Sequence, residues 1–449
     1  MCYSIPGKVV RIEGRNVTVE YFGEPRRAIS EMHDLTVGDY VYAQGGFVIQ
    51  RIPATEADSV LAFWKETFFE LQERDLQLSR LRLDDSSIDR GLLSLFDRAL
   101  EERPVTDDDL EQLLTLESPS EVEYLFRVAN FLRHKRQGNS CCVHGIIEFS
   151  SHCSGACLYC GLSAGNTALP RYRLDRDALL GAVREAVEIW GFKTLVLQSG
   201  EDAGRTVDEL VEIIAEIKAR WPLLLFISVG EISIDALRRC YDAGARGLLM
   251  RFETSNPDLY ARMRPGRRLE DRLTLLRAAR ETGYLLITGG LVGLPGQTVR
   301  DLVGDIRTAV SLQPDMFSFG PLVPHPATPL AGAVAAGTLM MTRKLMAACR
   351  IAEPRDARLV VTTAFETLEP RAREMGLTAG ANSLMLNLTP EAVRPAYDLY
   401  PGRAHAHESV AGQIEDALAL LNRLGRAPTD LGAGNGLGIG GAETSETAR

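Results

Sequence analysis

Gly145-Ile-Ile-Glu-Phe-Ser150 and, one residue on, His152-Cys-Ser-Gly-Ala-Cys-Leu-Tyr-Cys-Gly161 place a short apolar run directly ahead of a glycine- and serine-rich loop carrying three cysteines. The spacing is CxxxCxxC. It gathers the thiolates of Cys153, Cys157 and Cys160 around one point and supplies no fourth. Soft cysteine sulfur is the ligand of iron-sulfur clusters, and three thiolates hold three irons of a 4Fe-4S cluster while leaving the fourth iron open for chemistry. A structural zinc site competes with this reading, but zinc usually takes four protein ligands as two spaced pairs, and no second pair follows at a suitable distance. Core packing also competes, and three cysteines within eight residues of a Gly- and Ser-rich loop do not read that way.

From Gly145 the chain alternates short apolar runs with helical patterns. The runs are 145–150, 193–198, 223–229, 247–252, 284–291, 315–320, 358–363 and 382–387. Eight such units predict a closed (β/α)8 barrel, an α/β fold whose active site is built from the loops at the C-terminal ends of the strands. Polar and glycine residues gather at that end: the cysteine loop, Gln198-Ser199-Gly200-Glu201-Asp202, Gly230-Glu231, Arg251-Phe252-Glu253-Thr254, Gly293-Leu294-Pro295-Gly296-Gln297, Gly320 to Pro326, Thr362-Thr363 and Asn387 to Pro390. Any one of these alone reads as a solvated loop; their recurrence at one rim points to a site. The stretch Gly290 to Gly296 is not a dinucleotide fingerprint, because it lacks the GxGxxG spacing and a proline interrupts the turn.

Upstream, residues 5–50 alternate apolar and polar positions between glycines, the pattern of a small all-β, OB-like barrel. A helix is expected over 54–75, a charged linker from Glu73 to Arg90, and a helical lead-in to about 136. The expected organisation is therefore 1–78 small barrel plus helix, 79–137 linker and lead-in, 138–430 (β/α)8 barrel and 431–449 a disordered glycine-rich tail. At 449 residues, 45% apolar and 24% charged, the chain is ordinary for a soluble protein of two or three domains. Its net charge of −10 argues against a broad nucleic-acid surface. No export or membrane segment is visible, and eight cysteines fit a reducing cytoplasm better than a disulfide framework.

An aromatic residue, Tyr159, stands just before the last loop cysteine, and with it the loop resembles the signature of the radical S-adenosylmethionine (radical SAM) enzymes. That resemblance implies one 4Fe-4S cluster, whose open iron chelates SAM, and reductive cleavage of SAM to a 5′-deoxyadenosyl radical. Within such a site Glu201 and Glu253 are suited to the SAM ammonium group, and Arg251 or Arg272 to its carboxylate. Gly293 and Gly296 would let the backbone approach an adenine.

The region from about 86 to 430 resembles the FeFe-hydrogenase maturase family HydE. The likeness rests on Gly145 to Ser150, Cys157-Leu-Tyr-Cys-Gly-Leu162, Arg171-Tyr-Arg173, Val196 to Asp202, Arg251 to Thr254, Val292 to Thr298, Pro324 to Leu330, Asn387 to Pro390 and Tyr397-Asp-Leu-Tyr-Pro401. The resemblance implies Cys153, Cys157 and Cys160 as cluster ligands, with Tyr159 and Ser199 beside the cofactor and Glu253 with Arg272 at the SAM head group. It places Gln198, Thr362, Thr363, Tyr397 and Tyr400 around a substrate cavity. It further implies a cysteine-bound iron carrying carbonyl and cyanide as substrate, and an electron donor such as ferredoxin or flavodoxin. No cysteine follows Cys349, so no accessory cluster is expected.

Residues 1–75 resemble a second family, the hydrogenase maturation chaperone HypC, through Met1-Cys-Tyr-Ser-Ile-Pro-Gly-Lys-Val-Val10, Gly38-Asp-Tyr-Val41 and Gly46-Phe-Val-Ile49. There the cysteine after the initiator methionine is implicated in holding an iron with cyanide and carbonyl groups, which implies the same for Cys2. Gln44 stands where those proteins usually have histidine. Both halves thus resemble proteins that handle the same iron unit, and tethering raises the effective concentration of one for the other. Other maturation proteins or a hydrogenase subunit are the implied partners.

Two other functions compete: a radical SAM enzyme on an amino acid-like substrate, as in biotin synthase and methylornithine synthase, and a non-catalytic scaffold. Cys141 and Cys142 are expected to pack or sit exposed, and Cys240 and Cys349 to pack on helices. His405-Ala-His407 offers two imidazoles to a metal, and a solvated tail is the expected reading over that one. His325 lies in the proline-rich rim loop and is held as a minor candidate.

Overall fold

The computed structural model describes residues 5–81, 88–333, 337–353 and 357–430. Cys2 and the tail 431–449 therefore lie outside the described residues. Five strands come first: β1 (Gly7–Glu13), β2 (Asn16–Tyr21), β3 (Glu24–Ile29), β4 (Tyr40–Gln44) and β5 (Phe47–Ile52). They close into a barrel in the order β1-β2-β3-β5-β4. Strand alternation drives this closure, with Val9, Val17, Val19, Ala28 and Val41 facing in while Lys8 and Glu20 face water. Helix α1 (Ala54–Ser79) lays Trp64, Phe68 and Leu71 on the same core.

Helix α1 runs through the stretch expected to begin a linker. Its last turns are held because Asp75 and Ser79 are buried against Arg133, whose guanidinium donates to Asp75 at 2.7 and 2.8 Å. Arg426 adds a third contact to Asp75 at 2.9 Å. A charged residue inside the expected linker is thus the anchor of the helix. Helices α2 (Arg90–Leu100), α3 (Asp107–Thr115) and α4 (Pro119–Gln137) follow.

The large domain is an eight-stranded parallel sheet in the order β14-β12-β10-β9-β8-β7-β6-β15. Its strands are β6 (Cys142–Ser150), β7 (Thr194–Ser199), β8 (Leu224–Ser228), β9 (Gly247–Leu249), β10 (Leu285–Thr288), β12 (Met316–Phe317), β14 (Arg358–Leu359) and β15 (Ser383–Asn387). A parallel bridge from Val360 to Ser383 joins the two edges and closes the barrel. The fifth and sixth runs do not continue as single strands. They break after Thr288 and Phe317 and pair again as β11 (Leu291–Val292) and β13 (Gly320–Pro321). At this break a Cβ on Gly289 would stand 2.5 Å from Ser318 O and one on Gly290 2.4 Å from Glu253 O, so only glycine allows the approach. No helix among the described residues is long and apolar enough to cross a membrane.

The small barrel docks on the N-terminal end of the large one. Gly45 in the β4–β5 turn sits so close to Leu224 and Leu285, at the starts of β8 and β10, that a Cβ there would stand 2.8 Å from each. Phe47 joins Val196, Phe226, Ile287 and Met316 in one apolar cluster inside the large barrel. The β4–β5 turn plugs its floor, leaving the opposite rim for the site.

Candidate active site

The cysteine loop leaves β6 at this rim and is bound on every side by backbone hydrogen bonds. Ser154 N donates to Glu201 O at 2.9 Å, Leu158 N to Met263 O at 3.0 Å and Gly161 N to Leu399 O at 2.8 Å. Arg171 spends its guanidinium on four carbonyls, Ser151 at 2.6 Å, Leu162 and Ser163 at 2.9 Å and Asn166 at 3.0 Å. Its planar fork fixes the loop from beneath. Gly155 leaves room inside, since a Cβ there would meet Cys153 Sγ at 3.4 Å, Cys157 Sγ at 3.7 Å and Glu201 Oε2 at 3.9 Å. The cysteines are free thiols. Burial raises Cys157, with Arg264 opposing, and burial pushes Cys160 up well beyond the thiol range.

The loop opens on a cavity of about 290 Å³ in the mouth of the barrel. It is lined by Cys153, Cys157, Tyr159 and Cys160, by Gln198, Ser199 and Glu201 after β7, by Arg251, Glu253 and Arg272, and by Thr362, Thr363, Tyr397 and Tyr400. Gly293 and Gly296, expected beside the adenine, are exceptions: neither lines this cavity, and the Gly293 contacts show why. Gly293 lies with its N–H on Gln297 Oε1 at 2.8 Å and its Cα packed against Thr338.

Two charge groups organise the walls. Glu201 and Glu231 share Arg264, Arg267 and Arg272: Arg264 lies 3.0 Å from Glu201, and Arg272 lies 2.8 Å from Glu231. Burial works to raise Glu231, and the three guanidiniums, Arg272 foremost, overcome it and hold the carboxyl below its usual range. Arg272 is thus already committed, and its Nη1 also donates to Arg251 O at 2.7 Å. Glu253 differs. It is buried with φ of +70°, a strained conformation for a non-glycine residue, and its Oε2 has no hydrogen-bond partner.

The second group lies deeper. Glu148, fully buried on β6, takes Arg403 Nη1 at 3.0 Å and a closer contact from Nη2, with Asn387 at 3.2 Å and Thr389 at 3.3 Å. Arg403 also lies over the Tyr397 ring at 5.6 Å. Burial raises the pKa of Tyr400 to about 12 and lifts that of Tyr397 well above the usual phenol range.

Sequence reading passed over Arg264, Arg267, Glu148 and Arg403. The run Arg262 to Arg268 and a lone carboxylate inside the apolar run 145–150 were available signals; nothing local marks Arg403. His405 is not in a solvated tail. It lines the cavity with φ of +65° and bonds Glu366 and Glu408, the latter at 2.7 Å. His325 bonds Asp398 at 3.0 Å in a separate cleft outside the cavity.

Do these residues suit a cluster and SAM? No three His, Cys, Asp or Glu side chains among the described residues converge on a single ion. Three soft thiolates on one cavity suit a cluster in which each sulfur takes its own iron. The buried Glu253 Oε2 makes no hydrogen bond, lies 3.5 Å from Arg251 Nε and faces the same cavity, which leaves it able to accept from a cationic ligand.

The Radical SAM superfamily pattern matches residues 147–309. The chain is 39% identical over 329 residues to the FeFe-hydrogenase maturase subunit HydE of Thermotoga maritima, covering 73% of this chain and 93% of that protein. The chain belongs to the HydE family of radical SAM enzymes. Enzymes of this superfamily use a 4Fe-4S cluster and SAM. This HydE-family chain also carries an N-terminal module, since the HupF/HypC family pattern matches residues 1–64. A 3-methylornithine synthase of Methanosarcina acetivorans is 31% identical over 236 residues, covering 52% of this chain and 67% of that protein. A crystal structure of methylornithine synthase superposes with a TM-score of 0.65 at 26% identity over 75% of this chain and 97% of that one. The maturase HydG, at 20% identity and a TM-score of 0.58 over 71% of each chain, shares the fold.

Proposed function

We propose that this protein matures a hydrogenase metallocofactor by radical SAM chemistry on a cysteine-bound iron that carries carbonyl and cyanide, and that its fused HypC-like module carries or receives that iron through Cys2. The observation that supports this best is the placement of Cys153, Cys157 and Cys160 on the same cavity as Glu253, whose buried Oε2 makes no hydrogen bond, and the deeper Arg403–Glu148 pair.

In this reading the three cysteines hold the cluster, Tyr159 and Ser199 flank it, and Glu253 accepts from the SAM ammonium group. Glu201 and Glu231 hold Arg264, Arg267 and Arg272 as a rigid cationic wall toward the SAM carboxylate, with Arg251 beside it. When bound, the cluster supplies one electron to SAM, which yields methionine and a 5′-deoxyadenosyl radical. Gln198, Thr362, Thr363, Tyr397 and Tyr400 then enclose the substrate. The Arg403–Glu148 pair offers opposite charges for the amino and carboxylate groups of a cysteine. Tyr397 and Tyr400, kept protonated by burial, donate hydrogen bonds without giving up the proton. An exogenous single-electron donor of the ferredoxin or flavodoxin type completes the scheme.

The likeness to methylornithine synthase favours a second reading, in which the same charge pair holds a free amino acid. Incubating reconstituted enzyme and SAM with a synthetic cysteine-bound iron carbonyl cyanide complex, and separately with ornithine and lysine, separates them. Substrate-dependent 5′-deoxyadenosine with the iron complex alone is the expected outcome. Stimulation by the amino acids alone would replace the organometallic reading.

A further inference from the structure

Glu253 reaches the cavity from a turn that the backbone alone disfavours. Thr254 N donates to Phe252 O at 2.9 Å, closing a three-residue turn with Glu253 at its centre and a φ of +70°. Turns of this hand are rare and strained, and they persist only where the surroundings over-determine them. On one side the break between β10 and β11 does so. Leu291 N donates to Glu253 O at 2.8 Å, and a Cβ on Gly290 would stand 2.4 Å from that oxygen. The other side is held by a helix, Val299–Ser311, that contributes no residue to the cavity lining.

Asp305 on that helix is 0% exposed. Its Oδ1 accepts from Ser255 N at 2.5 Å, Ser255 Oγ at 2.7 Å and Thr254 Oγ1 at 3.3 Å, and its Oδ2 accepts from Gln297 Nε2 at 3.1 Å. Gln297 is committed in turn. Its Oε1 accepts from Gly293 N at 2.8 Å and Leu294 N at 3.2 Å, and its Nε2 also donates to Leu291 O at 2.9 Å. One carboxylate thus ties the segment that leaves Glu253 to the turn that follows β11. All four donors are neutral groups, and burying a carboxylate on such partners alone is costly. Burial raises the pKa of Asp305 to about 6, with the hydrogen bonds from Ser255 and Thr254 opposing, so the group is ionised at neutral pH.

We propose that Asp305 is a positioning residue for SAM that acts through Glu253: it clamps Thr254 and Ser255 to the Gly293–Leu294 turn and so keeps the Glu253 carboxylate aimed into the cavity. This rests on the role given above to Glu253 at the SAM ammonium group. The clamp needs a carboxylate because donors meet it from both sides, whereas asparagine offers an oxygen to one side and an N–H to the other. Gln297 cannot turn its amide to compensate, since that would set N–H groups against Gly293 N and Leu294 N and withdraw the donor from Leu291 O. A staple that served stability alone would lower the melting temperature and leave the SAM affinity of the folded protein unchanged.

The test is calorimetric titration of reconstituted full-length enzyme with SAM, in wild type, Asp305→Asn, Glu253→Gln and the double variant. Asp305→Asn should bind SAM about 10-fold more weakly. Its iron and sulfide content, and the electron paramagnetic resonance of its reduced cluster without SAM, should match wild type. In the Glu253→Gln background the same change should cost less than about 2-fold, because the charge that Asp305 positions is already gone. Should Asp305→Asn fail to fold, Ser255→Ala decides in its place: it removes one donor, keeps the carboxylate and should weaken SAM binding about 3-fold. Equal affinity in the folded test variant, or an equal loss with and without the Glu253 carboxylate, would overturn the inference alone. Equal affinity in Glu253→Gln would overturn the head-group reading and the inference with it.

Discussion

Asp75→Asn probes the weld between the N-terminal module and the barrel. Asp75 is 0% exposed, and Arg133 and Arg426, themselves 0% and 2% exposed, both point their charge at it. Burial works to raise its pKa, and Arg133 and Arg426 overcome it, holding the carboxyl well below the usual carboxylate range. Asparagine keeps the shape and removes the charge, which leaves two buried guanidiniums short of a counter-ion. Breaking a buried pair in this way costs about 3–5 kcal/mol. At roughly 2 °C per kcal/mol, the low end for domains of about 250 residues, a loss of about 4 kcal/mol lowers Tm by about 8 °C. The folded pKa is depressed, so the contribution is fully present above the unfolded value of about 3.9 and is lost only as pH falls from there. The gap in Tm between wild type and variant should therefore be present above about pH 4 and narrow as pH falls below it. A double-mutant cycle with Arg133→Met should show coupling. A change in Tm under about 1 °C, or additivity within about 0.5 kcal/mol, would refute the assignment of Asp75 as the shared counter-charge.

If Glu253 holds the SAM ammonium group as proposed, Glu253→Gln removes a charge-assisted bond worth about 1.5–3 kcal/mol, and calorimetric titration of reconstituted enzyme should show SAM bound roughly 10- to 150-fold more weakly; equal affinity would remove Glu253 from the head-group role. Arg403→Met leaves Glu148 buried and unpaired, which should lower stability by about 3–5 kcal/mol and abolish substrate-stimulated turnover while keeping slow substrate-independent SAM cleavage. Parallel loss of both activities would contradict a role confined to the substrate. Gly161→Ala would place a Cβ 1.9 Å from Asp398 O, a clash with backbone that displaces the cysteine loop at a cost of about 1–3 kcal/mol. Iron and sulfide analysis should find reduced cluster loading, and full loading would show that the loop tolerates the shift.

The parts of the structure that depend on local pattern were legible in the sequence. All eight barrel strands fall within or against the predicted apolar runs, and the cysteine loop stands where a βα loop should. Every expected site residue on the described chain except Gly293, Gly296 and the minor candidate His325 lines one cavity. What escaped depends on partners far apart in the chain. Asp75 pairs with Arg133 and Arg426, and Glu148 with Arg403, over separations that no periodicity reports. The same holds for the docking of Gly45 and Phe47 on the barrel floor. That docking bears on experiment: deleting residues 1–78 would strip Phe47 from the barrel interior and Asp75 from two buried arginines. Cys2→Ser in the full chain is therefore the cleaner probe of the chaperone-like module.

The central claim is tested most directly by anaerobic reconstitution with iron and sulfide, followed by reduction in the presence of SAM while 5′-deoxyadenosine is quantified. Formation in the wild type that disappears in Cys157→Ala is the predicted result. A reconstituted protein that holds its cluster and never cleaves SAM, or cleavage that survives in Cys157→Ala, would contradict it.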